Sequence, residues 1–332
     1  MNITFYSAKH YDQEVFTRVN EDFGYQLSFV EPQLNAHSVE LSSESTVVCA
    51  FVNDVLDQEV LRLLSEQGVG LLALRCAGFD NVDLKAAKRY KIQVVRVGAY
   101  SPHAVAEHAL GLMLALNRHL VEANARVHQS NFAIDGLLGF DFSGKTMGVI
   151  GTGKIGSILA NITQAMGMKV IAHDPIKNPA CEQAGIEYVG FDSLLVQADV
   201  ISLHCPLSEH THHLIDAQAF AKLKPSAMLI NTSRGGIIDT CALVAALESA
   251  QIGYVGLDVY ENEQGVFFED LSCTGVQDSL LEKLLSFDNV LLTAHQGFFT
   301  QNALENIATT TFKNIQLFAQ NKPLLKDSCL NP

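Results

Sequence analysis

The sequence predicts an α/β protein of two domains, each a parallel sheet flanked by helices. Three observations carry this. Short apolar runs alternate with amphipathic segments along almost the whole chain, the pattern of repeated βαβ units. At 332 residues the chain is longer than one ordinary core supports, so two domains are the default. One apolar run leads directly into a G-x-G-x-x-G triplet and then a helical pattern.

In the first hundred residues the runs "ITFYS", "QLSFV", "TVVCAFV", "GLLALR" and "QVVRV" read as strands. Segments such as "DQEVLRLLSEQG" and "VDLKAAKRY" between them carry helical periodicity. A long helix follows in "SPHAVAEHALGLMLALNRH", with Ser101 as its cap and Pro102 at the first position, where a missing N–H costs nothing. It is expected to bridge two domains. The stretch "NFAIDGLLGFDFSGK" reads as an extended arm or loop. A second α/β series has strands at "TMGVIG", "KVIAHD", "VISLHC", "AMLINTS", "YVGLDVY" and "NVLLTAH", and "QNALENIATTTFKNIQLFAQN" closes the chain as one helix. No repeat, low-complexity tract or Gly/Ser linker interrupts this order.

Composition narrows the function. Hydrophobic residues are 48% and charged residues 17%, a globular balance. A formal net charge of -14 without a basic stripe argues against nucleic acid and anionic membranes as partners. An anionic substrate would need local positive charge to overcome that field. Seven widely spaced cysteines without a C-x-x-C pair argue against a disulfide framework and fit a reducing, cytoplasmic setting. The N-terminus lacks the basic and apolar regions of a secretory signal, and "AVAEHALGLMLALNRH" is too interrupted by Glu107 and His108 to span a membrane. Four histidines crowd "HCPLSEHTHH", but their spacing fits no familiar ligand set, so no metal is expected.

The richest stretch is "TMGVIGTGKIGSILANITQAMGMKVIAHD". Gly151 permits the tight turn after the strand, Gly153 lets backbone approach a pyrophosphate, and Gly156 lets helix and strand pack closely. The following helix start offers free N–H groups and the positive end of its dipole. Asp174 ends the next strand, where a carboxylate accepts from a ribose 2′-OH and repels a 2′-phosphate. The expected cofactor is therefore NAD rather than NADP.

In such sheets ligands bind beyond the carboxyl ends of the strands. "AMLINTSRGG" ends at Arg234, "YVGLDVYENE" at Asp258 and then Glu263, and "NVLLTAH" at His295. A guanidinium grips a carboxylate with two parallel bonds and polarises an adjacent carbonyl. A histidine gives a proton to a forming alkoxide and takes it back in reverse, and a carboxylate orients the ring. With hydride from a nicotinamide, the three describe reversible reduction of a 2-oxo acid to a 2-hydroxy acid.

The motifs "GTGKIG", "INTSRGG", "DVYENE" and the strand-end His295 together resemble the D-isomer-specific 2-hydroxyacid dehydrogenases, over nearly the whole chain. "LRCAGFDNVDL", "AYSPHAVAEHA", "DVISLHCPL" and "GVFFED" are similar to the fermentative D-lactate dehydrogenases of bacteria within that family. The resemblance implies a flavodoxin-like substrate domain, residues 1–100 plus 299–332, and a Rossmann-type NAD-binding domain, residues 101–298, with a cleft that closes on the substrate. It implies a homodimer, or a dimer-based homo-oligomer, formed through the NAD-binding domain. It implies Arg234 as substrate-binding arginine, His295 as general acid/base and Glu263 as its partner. Lys154 and Ile155 would present backbone to phosphate, and Cys205, Pro206, Thr211, Thr232, Ser233 and Asp258 would line the cofactor. Ala77 and Gly78 would offer N–H groups to the substrate carboxylate. Arg75 either adds charge there or forms a structural salt bridge, and Tyr100 and Phe298 would wall the pocket. Two departures, Gly98 for the more usual proline and Gly297 for the more usual alanine, are expected to loosen loops near the substrate. The implied activity is NAD-dependent reduction of pyruvate to D-lactate. The alternatives are a bulkier 2-oxo acid as substrate, or an NADH-sensing binding protein.

Overall fold

The computed structural model describes residues 1–331, which divide into two compact units. The first joins Met1–Ser101 to the stretch from Phe299 onward; the second is Pro102–Phe298.

The first unit holds five parallel strands: β1 (Asn2–Phe5), β2 (Gln26–Phe29), β3 (Val47–Ala50), β4 (Leu71–Leu74) and β5 (Gln93–Arg96). They lie in the order β2-β1-β3-β4-β5, the flavodoxin-like arrangement. β3 and β4 are buried on both faces, as continuous apolar runs in a parallel sheet should be. The closing helix, Gln301–Ala319, starts where the Thr300 hydroxyl accepts from the Ala303 N–H, and it buries Ala303, Ile307, Phe312 and Ile315. Phe312 meets Phe5, Phe16 and Phe23 at ring-centroid distances of 5.2–6.4 Å, which binds the returning chain end to this sheet.

The second unit holds seven parallel strands: β6 (Thr146–Ile150), β7 (Lys169–His173), β8 (Glu187–Tyr188), β9 (Val200–Leu203), β10 (Met228–Asn231), β11 (Tyr254–Leu257) and β12 (Val290–Leu292). Their order is β12-β11-β10-β9-β6-β7-β8, so the winding reverses between β6 and β9, where such sheets bind ligands. Alternate residues feed two cores. Val149, Val200, Met228 and Ile230 join one with Ala106, Met113 and Leu159, while Ile150, Ile201 and Leu229 join the other with Leu194, Phe220 and Leu243.

Three local readings differ from the sequence pattern. The long helix forms as Pro102–Asn117, but a second helix, Leu120–His128, follows it where none was read, the two parted at His119, which takes φ 49°. β8 is only two residues long and leaves no periodic signal. β12 stops at Leu292, so His295 stands in the loop beyond it and not on the strand.

Candidate active site

The glycine loop follows β6. Gly151 has φ +92°, and a Cβ on it would lie 2.6 Å from the Cys205 nitrogen. A Cβ on Gly156 would lie 1.9 Å from the Gly151 carbonyl oxygen, so only glycine lets the helix Lys154–Ala165 start against this turn. Gly153, the N-cap of that helix, has open space where its side chain would be. Lys154 is exposed and Ile155 half-buried in the first turn. The loop therefore offers the uncrowded cradle and helix start that a dinucleotide pyrophosphate requires.

Asp174 lies just past β7. Its Oδ2 accepts from the Thr152 N–H at 2.7 Å and its Oδ1 from the Ile176 N–H at 2.8 Å. Tyr188 donates its hydroxyl hydrogen to Thr152 Oγ1 at 2.8 Å, and the Asn178 amide donates to the Thr152 carbonyl at 2.9 Å. Thr152, Asn178 and Tyr188 were invisible as site residues, because their partners lie far along the chain.

After β9, burial pushes the Cys205 thiol up to about 11, so it packs rather than reacts. The Thr211 hydroxyl closes its own turn by donating to the Pro206 carbonyl at 2.6 Å. The Ser233 hydroxyl donates to the Cys205 carbonyl at 2.6 Å, which ties the loop after β10 to the loop after β9. Thr232 is buried, and its hydroxyl has no partner among the described residues. That orphaned polar atom, with the glycine cradle and Asp174, fits an NAD site.

Arg234 is half-buried and follows fully buried Asn231, whose amide donates to the Arg234 carbonyl at 2.8 Å. Arg234 Nη1 donates to the Ser233 carbonyl at 2.8 Å. A Cβ on Gly235 would lie 2.0 Å from the Tyr260 carbonyl carbon, so this glycine brings the arginine loop against the loop after β11.

Asp258 is the anchor of the site. It is 1% exposed and accepts three hydrogen bonds, from the Thr293 hydroxyl at 2.6 Å and the Gln296 and Gly297 N–H groups at 2.8 Å each, and His108 Nε2 lies 3.2 Å from its Oδ1. Burial alone would raise its carboxyl, but His108, Thr293 and Gly297 beside it outweigh this and hold the group below the usual range. The Asp258 carbonyl accepts the His295 N–H at 2.7 Å. These bonds hold His295 at φ 52°, a conformation a bulky side chain adopts only under constraint. His295 Nδ1 then meets Glu263 Oε1 at 2.9 Å, with Glu263 Oε2 accepting from the Tyr260 N–H at 3.3 Å. A carboxylate only accepts, so Nδ1 carries the hydrogen and Nε2 is left for chemistry. The sequence showed His108 only as a polar interruption in an apolar helix; its bond to Thr293 Oγ1 at 3.0 Å shows a structural use.

Phe298 is 8% exposed in this unit. In the other unit, Ala77 and Gly78 follow β4 on a turn braced by Arg96, which donates to the Ala77 carbonyl at 2.8 Å. Their own N–H groups donate to no partner among the described residues. Half-buried Tyr100 accepts at its carbonyl from Asn306. Of the two readings of Arg75, the structure favours the salt bridge. Its guanidinium is buried against Asp12 at 3.2 Å and donates to the Ser7 carbonyl at 2.9 Å. Neither departure glycine sits in open space. A Cβ at Gly98 would lie 2.7 Å from the Asp327 carbonyl oxygen, and one at Gly297 2.9 Å from Asp258 Oδ2, so both serve tight packing rather than loose loops.

Comparison with known proteins agrees with this geometry. Residues 110–297 match the model for the D-isomer specific 2-hydroxyacid dehydrogenase, NAD binding domain. A 2-hydroxyacid dehydrogenase homolog of Haemophilus influenzae is 48% identical over 322 residues, 97% of each chain. The D-lactate dehydrogenase of Escherichia coli is 46% identical over 315 residues, 95% of this chain and 96% of that one. The solved structure of the pyruvate reductase of Chlamydomonas reinhardtii aligns with a TM-score of 0.92 at 44% identity, covering 98% of both chains. With its glycine cradle, its constrained histidine–glutamate pair and this likeness along nearly its whole length, the chain belongs to the D-isomer specific 2-hydroxyacid dehydrogenases, a family of NAD-dependent oxidoreductases.

Proposed function

We propose that this protein is a D-lactate dehydrogenase that reversibly reduces pyruvate to D-lactate. The observation that carries the chemistry is the His295 Nδ1–Glu263 Oε1 pair at 2.9 Å, on a loop fixed by Asp258. NADH, held by the glycine loop, would supply a hydride to the carbonyl carbon of the substrate. The Nε2–H of His295 gives its proton to the oxygen of the carbonyl as it becomes an alkoxide, and the reverse reaction returns that proton. Glu263 orients the ring and stabilises the imidazolium that precedes transfer. Arg234 binds the substrate carboxylate through its planar fork, and the N–H groups of Ala77 and Gly78 add donors to it. Tyr100 and Phe298 wall the substrate. Gly151, Gly153, Lys154, Ile155 and Gly156 hold the pyrophosphate, Asp174 the ribose, and Cys205, Pro206, Thr211, Thr232, Ser233 and Asp258 line the rest of the cofactor. On this reading the first unit is the substrate domain and the second the NAD-binding domain. Pyruvate is favoured over a bulkier oxo acid by the D-lactate dehydrogenase of Escherichia coli and the pyruvate reductase of Chlamydomonas reinhardtii, at 46% and 44% identity, above both the 30% of a D-2-hydroxyisocaproate dehydrogenase and the 28–33% of other D-lactate dehydrogenases.

Two further proposals concern assembly and setting. The second unit leaves Val121, Phe132, Ile134 and Leu138 between 61% and 89% exposed, apolar surface that supports a homodimer through this unit. Seven free thiols support a reducing, cytoplasmic setting, and the likeness to the D-lactate dehydrogenase of Escherichia coli supports a fermentative role.

The test is NADH oxidation by purified protein on pyruvate, 2-oxobutyrate, 2-oxoisocaproate, phenylpyruvate, hydroxypyruvate and glyoxylate, with D- and L-lactate in reverse. Highest kcat/KM on pyruvate and turnover of D-lactate alone is expected. Glu263→Gln should lower kcat roughly 10²-fold or more, within the range of acid/base contributions. Preference for a larger oxo acid would overturn the substrate, and silence across the panel with NADH still bound would favour a sensing protein.

A further inference from the structure

Outside the dehydrogenase site, the donor atoms of one side-chain cluster converge. It lies at the ends of three adjacent strands in the second unit. His212 and His213 sit on the turn after β9, Asp239 caps the helix Thr240–Glu248 after β10, and Glu261 follows β11. Neighbouring side chains usually diverge, but His213 adopts φ 50°, and the two rings stack at 3.9 Å with 24° between their planes. His213 Nε2 meets Glu261 Oε1 at 2.6 Å, and its Nδ1 lies 4.0 Å from Asp239 Oδ2. One ligand atom each from His212, His213 and Glu261 falls within 4.8 Å of the others.

We propose that His212, His213 and Glu261 form a binding site for a borderline divalent cation of the Zn²⁺ class. Two imidazoles and a carboxylate suit Zn²⁺, Co²⁺ or Ni²⁺, and not Mg²⁺ or Ca²⁺, which take oxygen ligands. Three protein ligands leave a fourth position to water. Tetrahedral coordination with bonds of about 2.0–2.1 Å requires the donors to draw closer than 4.8 Å, and His212 is exposed and free to swing inward. Glu261 is already oriented by an outer shell: its Oε2 accepts from the Thr240 hydroxyl at 2.8 Å and the Thr240 N–H at 3.2 Å. The ion would take the place of the hydrogen on His213 Nε2, and in the neutral ring that hydrogen moves to Nδ1, which faces Asp239 Oδ2 at 4.0 Å. Asp239 and the net charge of -14 favour a cation. An ion here joins the turn carrying Thr211 to the segment carrying Glu263, two places on from Glu261. The site shares no residue with the proposed catalytic groups and stands whatever the substrate proves to be.

The experiment titrates chelator-stripped full-length protein with Zn²⁺ by calorimetry and with Co²⁺ by visible absorption, alongside His212→Ala, Glu261→Gln and a Cys241→Ser/Cys273→Ser control. The expected result is one Zn²⁺ per chain with a micromolar Kd, tetrahedral Co²⁺ bands, and a rise in melting temperature with Zn²⁺. His212→Ala should weaken binding about tenfold or more and abolish the thermal rise, while turnover without metal stays as in the wild type. Glu261→Gln should do the same to binding; because Glu261 also holds Thr240, exposed His212 keeps the test clean if that variant folds poorly. The proposal is overturned if Zn²⁺ does not bind, if His212→Ala binds it as tightly as the wild type, or if only the cysteine control loses it.

Discussion

Replacing Arg75 by methionine separates a structural role from a substrate role. The side chains of Arg75 and Asp12 are 1% and 6% exposed. Arg75 Nε and Nη2 reach the two Asp12 oxygens at 3.2 and 3.4 Å, and Nη2 also donates to the Ser7 carbonyl. Burial works against the charged guanidinium, but the Asp12 carboxylate beside it raises its pKa, so it stays charged. Phe51 covers it at 4.8 Å. In Arg75→Met, Asp12 keeps the Lys9 N–H at 3.1 Å but becomes a buried carboxylate without a counter-charge. Breaking such a pair from one side costs about 3–5 kcal/mol. For a unit of this size that lowers the melting temperature by on the order of 10–20 °C. Removing both charges in Arg75→Met/Asp12→Leu should recover much of the loss, since an apolar pair of similar volume replaces a desolvated ion pair. Calorimetry of the wild type, both single variants and the double variant measures the coupling. KM for pyruvate in the folded fraction should stay near the wild-type value. A stable Arg75→Met enzyme with a KM raised tenfold would refute the reasoning and put the guanidinium on the substrate.

Three other outcomes are expected. Burial holds His204 down to about 4 from the ordinary 6.5, with Nε2 bonded to Ser202 and Nδ1 without a partner; the unfolded chain therefore binds the extra proton between these values, stability is full above 6.5, and it should fall by about 2 kcal/mol from about pH 7.5 to about pH 5. Denaturant unfolding at the two pH values checks this, and a His204→Gln variant with an undiminished slope would exclude His204 as the source. Gly156→Ala, with a Cβ 1.9 Å from the Gly151 carbonyl, should lose about 1–3 kcal/mol or more of stability, while Gly153→Ala should keep its melting temperature and lose NADH affinity, read by NADH fluorescence. Ile134→Glu/Leu138→Glu, at positions 81% and 89% exposed, should shift sedimentation from dimer to monomer if the apolar arm is the self-association surface; an unchanged sedimentation coefficient would place that surface elsewhere.

The strands were legible because a parallel sheet buried on both faces needs unbroken apolar runs, and β3, β4, β9 and β10 are buried at every residue. The dinucleotide loop was legible because its constraint is local: Gly151 and Gly156 lie in one turn, and each has a backbone atom where a side chain would be. His295, Arg234 and Glu263 were legible from their places just past the carboxyl ends of apolar runs, which chain order alone reveals. Tertiary structure decided everything set by partners distant in sequence. Arg75 meets Asp12 across 63 positions, a buried ion pair that favours the structural of its two readings. Asp258 meets Gly297 across 39, so the residue proposed to line the cofactor also anchors the histidine loop. His213 meets Glu261 across 48, so the spacing of the four histidines gave no hint of a third ligand. Periodicity and turn chemistry act over a few residues and can be read in any window of the chain; burial, charge pairing and close backbone approach exist only once the strands lie side by side.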